Sequence, residues 1–248
     1  MLGIIGGTGL TQLANLEITH RQVIRTPYGE PSGALTFGNI NCHQVVFLAR
    51  HGYGHTIPPH LVNYRANLWA LHSQGVREVV SVATVGGIPE TLAPGSIVIP
   101  DQIIDYTHSR KCTYHDGIDK TVTHIDFTEP YAQNLRALCM RAASEAGEVF
   151  VDGGTYAAVQ GPRLETAAEI NRLDRDGATM VGMTGMPEAA LARELGVDYA
   201  AVCVVANYAA GRGNSAHGIR YDEIQSVVSN TMGRVHNIIE HLVVIHAG

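Results

Sequence analysis

Lysine is nearly absent from this sequence of 248 residues, which contains only Lys111 and Lys120. With 17 Lys and Arg residues against 23 Asp and Glu residues, the formal net charge is −6. A chain with this balance lacks the basic surface that nucleic acids and anionic membranes bind, which excludes both as general partners. Any site for a small anion must therefore use arginine, hydroxyl groups and backbone amides.

Cysteine is also sparse, and no apolar run reaches the length of a signal peptide or a membrane span. The four cysteines are widely separated, at Cys42, Cys112, Cys139 and Cys203. This spacing is typical of free thiols in a reducing compartment and not of a disulfide framework. We therefore expect a cytoplasmic protein.

What the sequence does contain is enough apolar surface for one large core. Hydrophobic residues make up 45% of the chain, and we expect a single domain over residues 1–248. Short runs rich in β-branched residues predict buried strands. They lie at Leu2–Ile5, Gln44–Leu48, Glu78–Val85, Ser96–Ile99, Thr155–Val159, Thr179–Val181 and Ala200–Ala206.

Helical periodicities alternate with these runs, which predicts an α/β fold with a largely parallel mixed sheet flanked by helices. One apolar face is formed by Leu61, Leu68 and Leu71, and others lie within 135–146 and 224–242. Pro187 is expected in a first helical turn, and Gly147 and Gly196 just after helix ends. The segment 107–128 shows no regular period and is predicted to be a surface loop.

Two motifs near strand ends suit an anion. The segment Ile4–Leu10 leads a strand into glycines, whose bare backbone can approach phosphate while Thr8 offers a hydroxyl. A dinucleotide site or a plain tight turn are the alternatives, although the glycine spacing does not match the dinucleotide pattern. Arg50 follows another strand and can hold two phosphate oxygens with its planar fork, while His51 can donate a further hydrogen bond. The alternative is a structural pair of Arg50 with a carboxylate, beside a histidine whose hydrogen bonds are satisfied within the protein.

A metal is a poor explanation for the histidines in this region. His51, His55 and His60 are separated by glycines and prolines that prevent them from sharing one helical face. We expect no metal ligation, and we interpret this glycine- and proline-rich stretch as a shaped loop over a ligand.

Four further polar residues stand at element ends, each with a structural alternative. Thr84 precedes a glycine pair, and Thr184 precedes Pro187, so either hydroxyl can serve an anion or simply a turn or helix cap. Glu165 is either a partner of a helix dipole or a ligand group. Asn207 ends an apolar strand, where its amide can read the edge of a base or begin a turn.

The order of these motifs resembles the methylthioadenosine/purine nucleoside phosphorylase family of trimeric enzymes over nearly the whole chain. The shared motifs are Gly6–Leu10, Ala49–Gly52, Thr84–Gly87, Gly161–Thr166, Gly182–Glu188 and Val205–Gly211. The methylthioadenosine branch is resembled at Asn63–Asn67, Asp101–Asp105 and His124–Ile125.

The resemblance implies a role for each matching residue. Phosphate would be held by Thr8, Arg50, His51, Ala83, Thr84 and Thr184. The nucleoside would contact Met183, Leu164, Glu165, Asn207, Ala209, Tyr221 and, from a neighbouring subunit of a homotrimer, His124. Of these, Asn207, Glu165 and His51 are the catalytic candidates.

Two positions depart from the methylthioadenosine branch. The aspartate pair of that branch is replaced by Asn207 and Ala209, and Glu165 stands where that branch has a small hydroxyl residue. Glutamate and asparagine at these places resemble phosphorylases specific for 6-oxopurines. The resemblance thus implies phosphorolysis of S-methyl-5′-thioinosine to hypoxanthine and 5-methylthioribose 1-phosphate, with phosphate as co-substrate and no cofactor.

Other functions remain open at this point. Within the family, the alternatives are a methylthioadenosine phosphorylase and a general inosine/guanosine phosphorylase. A nucleosidase would use water instead of phosphate, and a nucleotide-binding dehydrogenase or a non-catalytic ligand-binding protein would belong to a different class.

Overall fold

The computed structural model describes residues 1–117 and 121–248, which form eleven β-strands and five α-helices. The strands are β1 (Leu2–Gly6), β2 (Glu17–Gln22), β3 (Leu35–Ile40), β4 (His43–Ala49), β5 (Glu78–Gly87), β6 (Ile97–Ile99), β7 (Gln102–Asp105), β8 (Val151–Asp152), β9 (Thr155–Ala158), β10 (Met180–Gly182) and β11 (Asp198–Tyr208). The helices are α1 (Tyr64–Ser73), α2 (Gln133–Glu145), α3 (Ala167–Arg175), α4 (Gly185–Glu194) and α5 (Tyr221–Ala247).

Strand β5 is the central strand of one mixed sheet. The strand order is β2-β3-β4-β1-β5-β10-β9-β7. In addition, β11 pairs with β5 and with β6, and β6 pairs with β8. Strands β1, β4, β5 and β11 are mutually parallel where they pair. Their carboxyl ends therefore meet at one edge of the sheet, which is where open α/β sheets place their ligands.

Both faces of this sheet are covered by helices. On one face α2 and α5 pack through residues such as Leu135, Val235 and Leu242. On the other face α1 and α4 pack through residues such as Leu68 and Leu191. Because each central strand is buried on both sides, its sequence is a continuous apolar run and not an alternating one.

The predicted α/β fold is confirmed, and each of the seven predicted strands overlaps an observed one. The expected helix ends are also present, since Gly147 and Gly196 follow α2 and α4 with φ of 70° and 65°. The only non-helical residue inside α4 is Met186, so regular helical geometry resumes at Pro187 as predicted. In the described part of 107–128 the chain forms neither helix nor strand.

The prediction for Leu61 is wrong. Leu61 lies in a single 3₁₀ turn, Pro59–Leu61, and is 66% exposed. The helix begins only at Tyr64, because the Asn63 side chain accepts a hydrogen bond from the Ala66 amide (3.1 Å) and caps the first turn there. Across 1–117 and 121–248, no helix is long and apolar enough to cross a membrane.

Candidate active site

A cavity of about 590 Å³ opens at the carboxyl ends of the parallel strands. Every predicted site residue except His124 lines this cavity. The predicted residues that it brings together are Thr8, Arg50, His51, Ala83, Thr84, Leu164, Glu165, Met183, Thr184, Asn207, Ala209 and Tyr221. One concave space thus holds the candidate anion-binding and base-reading groups, as small-molecule sites commonly do.

We call the part of the cavity that is lined by Thr8 and Arg50 the candidate anion end. Here the backbone of Gly7 and the Arg50 guanidinium approach each other closely. A Cβ placed on Gly7 would lie 2.7 Å from Arg50 Nη1 and 2.6 Å from the Val82 carbonyl oxygen. Only glycine fits this position without displacing its neighbours. Glycine directly after β1 is therefore required by packing, and both Thr8 and Arg50 line the cavity here.

Arg50 is fully buried and most of its donors are already occupied. Its Nε and Nη2 donate to the two carboxylate oxygens of Glu188 at 2.8 and 2.9 Å. Nη2 also donates to Ser81 Oγ at 2.5 Å, and Nη1 donates to the Val82 carbonyl oxygen at 3.1 Å. Since a guanidinium has five N–H groups, one on Nη1 is left for a ligand.

This arrangement matches the alternative in which Arg50 pairs with a carboxylate, and not the one in which its fork holds two phosphate oxygens. The fork holds Glu188, a residue of α4 that sequence reasoning did not assign to the site. Burial acts to lower the pKa of Arg50, but the Glu188 carboxylate raises it well above its ordinary value. Because Arg50 is paired with the Glu188 carboxylate, it would offer phosphate one N–H and little net charge.

His51 presents an acceptor to the cavity instead of the expected donor. Its Nδ1 lies 2.7 Å from the Ile57 carbonyl oxygen, which can only accept, so Nδ1 carries the proton. Burial, together with the nearby Arg50 charge, lowers the pKa of His51 to about 4. The ring is therefore neutral at pH 7 and its Nε2 accepts. An acceptor matches the protonated oxygen of hydrogen phosphate.

Thr184 lies at the start of α4, where a capping role was the alternative. Its side chain makes no capping hydrogen bond, and its backbone amide donates to the Tyr156 hydroxyl at 3.3 Å. A Cβ on Gly182 would lie 2.1 Å from that hydroxyl oxygen, so the chain passes directly over the Tyr156 ring. The fold therefore presents Thr184 to the cavity and does not use it as a cap.

We call the part of the cavity that is lined by Glu165 and Asn207 the candidate base end. The direction of the Asn207 side chain there depends on an irregularity in β11. Val205 pairs with Val85, whereas Asn207 pairs with the next residue, Gly86, so Ala206 is an extra residue in the strand. Such a bulge turns the side chains that follow it. Asn207 Nδ2 donates to the Tyr208 carbonyl oxygen at 2.6 Å, which leaves one amide hydrogen and the amide oxygen for a ligand.

Glu165 takes no part in the cap of helix α3. Helix α3 is capped by Thr166 and Glu169, which bond reciprocally to each other's backbone amides. Arg163 pairs with Glu169 at 2.7 Å, so the neighbouring cation is also engaged elsewhere. Glu165 itself lines the cavity, and burial raises the pKa of its carboxyl group.

The rim contains residues that sequence reasoning missed as well as one that it predicted. Tyr221 begins α5 and is 68% exposed, and Ile224 and Gln225 follow it on the same helical face. The i+3 and i+4 spacing from Tyr221 is the signal that could have identified both. The loop residues from His55 to Pro59 complete the rim, in agreement with the expected shaped loop.

One predicted site residue lies outside this cavity. His124 is exposed and does not line the cavity of its own chain. The three histidines considered for a metal do not form a ligand set. In the described ranges, no group of three His, Cys, Asp or Glu residues is arranged to hold a metal ion.

Comparison with known proteins identifies the family. The sequence profile of the phosphorylase superfamily matches residues 1–244. The chain belongs to this superfamily. It is 49% identical over 232 residues to a probable S-methyl-5′-thioinosine phosphorylase from Pseudomonas syringae pv. tomato, covering 94% of each chain. It is 46% identical to a 6-oxopurine nucleoside phosphorylase from Pyrococcus furiosus, covering 85% of this chain and 80% of that one.

Solved structures support the same assignment for this phosphorylase. Methylthioadenosine phosphorylase from Schistosoma mansoni, in complex with adenine, superposes with a TM-score of 0.94 at 29% identity, covering 99% of this chain and 91% of that one. A methylthioadenosine phosphorylase from an antarctic soil metagenomic library is 36% identical with a TM-score of 0.90, covering 99% and 86%. The expected nucleoside phosphorylase fold is confirmed.

Proposed function

We propose that this phosphorylase cleaves S-methyl-5′-thioinosine with phosphate, giving hypoxanthine and 5-methylthioribose 1-phosphate. The observation that carries the proposal is that one cavity holds an anion end, with Arg50 and Thr184, and a base end, with Glu165 and Asn207. The names of the relatives with 6-oxopurine or methylthioinosine activity support it. Inorganic phosphate is the second substrate in this proposal, and no cofactor takes part.

The base end matches the hydrogen-bonding edge of a 6-oxopurine. Such a base donates from N1–H and accepts at O6 and N7, so Glu165 accepts the first and the free amide hydrogen of Asn207 serves the others. Ala209 offers no acceptor to an exocyclic amine. A 6-aminopurine would place the lone pair of N1 against Glu165 and would find no acceptor for its amine at Ala209. These two mismatches cost about 1–3 kcal/mol each, which gives roughly 10²–10⁴-fold preference for the 6-oxo base.

Catalysis then rests on positioning and electrostatics. Phosphate at Thr8, Thr84, Thr184 and Arg50 attacks the anomeric carbon as the bond to the purine breaks and the sugar gains oxocarbenium character. Asn207 donates to the base as negative charge develops on the leaving group. Preorganised donors of this kind stabilise the transition state more than the ground state.

We further propose a cytoplasmic homotrimer with shared sites. His124 is exposed on its own chain, so its expected role at the 5′ end requires a neighbouring subunit. The four free cysteines, of which Cys42 and Cys112 are exposed, are typical of a reducing compartment. Light scattering of the purified protein tests the trimer, and a monomer at full activity would contradict it.

A substrate panel tests the proposed function. Methylthioinosine, methylthioadenosine, inosine, guanosine and adenosine are each incubated with and without phosphate, and released base and sugar phosphate are measured. We expect phosphate-dependent cleavage with the highest kcat/KM for methylthioinosine. Equal cleavage without phosphate would indicate a nucleosidase, and equal kcat/KM for methylthioadenosine would refute the reading of Glu165, Asn207 and Ala209.

A further inference from the structure

Arg110 forms hydrogen bonds to two segments beside the cavity, residues 183–186 and 159–160. It lies after β7, outside the cavity lining, and is half-buried. Its Nη1 donates to the carbonyl oxygens of Met183 (2.8 Å) and Met186 (2.6 Å). Its Nη2 donates to the carbonyl oxygens of Val159 (3.2 Å) and Gln160 (2.8 Å), and its Nε to Gln160 Oε1 (3.1 Å). These bonds use all five guanidinium N–H groups.

The two connected segments carry opposite ends of the proposed reaction. Residues 183–186 include Met183, assigned to the ribose, and Thr184, assigned to phosphate. Residues 159–160 lead directly into the turn that presents Glu165, assigned to the base. The pairing of β9 with β10 and the hydrogen bond from the Val159 amide to the Gly182 carbonyl oxygen (2.8 Å) join the two segments up to those residues. Beyond that point, Arg110 is a planar side chain that bonds to both segments.

The hydrogen-bond donors of Arg110 suit a bridge between two backbone segments. In the described part of the chain, no carboxylate lies within ion-pair distance of its guanidinium. Its partners are carbonyl oxygens and the Tyr64 hydroxyl, to which Nη1 donates at 3.3 Å. Its Cζ also lies 5.4 Å from the centre of the Tyr64 ring, whose hydroxyl donates to the Pro59 carbonyl oxygen at the rim of the cavity. A lysine, with three donors at one point, cannot reproduce a five-donor bridge.

We propose that Arg110 is a positioning residue that sets the distance between the phosphate-binding and base-binding segments, and so governs the rate of phosphorolysis without touching either substrate. This inference rests on the proposed function. Displacement of reacting groups by about 1 Å costs on the order of 100-fold in rate, so the loss of the bridge should be measured mainly in kcat.

The test compares Arg110→Lys and Arg110→Met with Lys111→Ala, which removes the exposed neighbouring cation. Phosphorolysis of methylthioinosine is measured with each substrate varied in turn. We expect kcat to fall about 100-fold in both Arg110 variants, with smaller changes in either KM, and no change in Lys111→Ala. A purely electrostatic role would instead be rescued by Lys, which retains the charge.

A double-mutant cycle separates positioning from general destabilisation. If Arg110 acts through Thr184, adding Arg110→Lys to Thr184→Ala should cost much less than it costs in the wild type. The same change added to Tyr221→Ala, on the far rim, should cost its full amount. Thermal unfolding confirms that each variant is folded. Should Arg110→Met fail to fold, Arg110→Lys carries the test.

The possible failures are distinguishable. A wild-type protein without phosphate-dependent cleavage overturns the proposed function and this inference with it. An active wild type whose Arg110→Lys variant keeps more than a third of its kcat overturns the positioning role alone. Full additivity in both cycles would also overturn it, because Arg110 would then act independently of Thr184.

Discussion

Replacing Glu188 by Gln tests whether the buried pair with Arg50 holds the anion end of the site together. The substitution keeps the size of the side chain but removes the charge that faces a guanidinium with side-chain exposure of 1%. It also disturbs the Tyr199 hydroxyl, which donates to Glu188 Oε1 at 2.8 Å. Arg50 stays charged because the pKa of a guanidinium lies far above neutrality, and its other bonded partners, Ser81 and Val82, carry no charge that could balance it.

The expected loss follows from leaving one charge buried without its partner. Breaking a buried ion pair from one side costs about 3–5 kcal/mol. For a chain of this length, 1 kcal/mol corresponds to roughly 2–4 °C in Tm, so Glu188→Gln should melt about 6–20 °C lower. The control is Glu145→Gln, which removes one member of an exposed i,i+4 pair with Arg141. That change should cost no more than about 0.5 kcal/mol.

Urea unfolding with and without phosphate is the assay. Phosphate bound beside Arg50 supplies part of the missing negative charge, so it should raise the unfolding free energy of Glu188→Gln more than that of the wild type. A loss below about 1 kcal/mol, the size expected for an exposed pair, would refute the argument. Equal stabilisation of both proteins by phosphate would show that the anion does not bind next to Arg50.

Three further predictions concern His51, Arg50 and Asn207. Since the pKa of folded His51 is lowered to about 4 from 6.5, the unfolded chain binds more protons between these values. The contribution of neutral His51 to the free energy of unfolding is therefore fully present above pH 6.5, and about 3 kcal/mol of it is lost as pH drops to 4. If His51→Asn had the same pH profile of urea unfolding as the wild type, this prediction would be contradicted. Replacing Arg50 and Glu188 together by Met avoids leaving an unpaired buried charge. The loss of the one free N–H, worth about 1.5–3 kcal/mol, should lower kcat/KM for phosphate by roughly 10–150-fold. The KM for nucleoside is the internal control. Asn207→Asp combined with Ala209→Asp should recover cleavage of methylthioadenosine, and no gain in its kcat/KM, even with Glu165→Ser added, would refute the proposed base contacts.

The central strands were predictable because burial on both faces leaves a simple pattern. Strand β1, for example, is buried at every residue and consists of apolar residues and glycine. Strand β2 was missed for the opposite reason, since all six residues of Glu17–Gln22 are exposed and its stability comes from pairing with β3. The two-residue β8 is likewise set by its neighbour β6, which no local pattern reveals.

The location of the site was predictable, but the partner of each polar group was not. Motifs at strand ends identified the residues that meet in the cavity, because parallel strands bring their carboxyl ends to one edge. The pairing of Arg50 with Glu188 spans 138 positions and needs the packed fold. A signal did exist, since a single acid in the otherwise apolar stretch Met186–Ala192 needs a buried partner.

These pairings show that the proposed dianion site would not rely on net positive charge. Arg50 is neutralised by Glu188, and His51 is an uncharged acceptor, so net positive charge contributes little at the anion end. Phosphate there would be held by one guanidinium N–H, by threonine hydroxyls and by backbone amides. Such fixed dipoles bind weakly in water but strongly in an enclosed cavity, where they do not reorganise as charge moves. The same reasoning makes the position of the segment that carries Thr184 decisive. Arg110 bonds both to that segment and to the one that leads to Glu165.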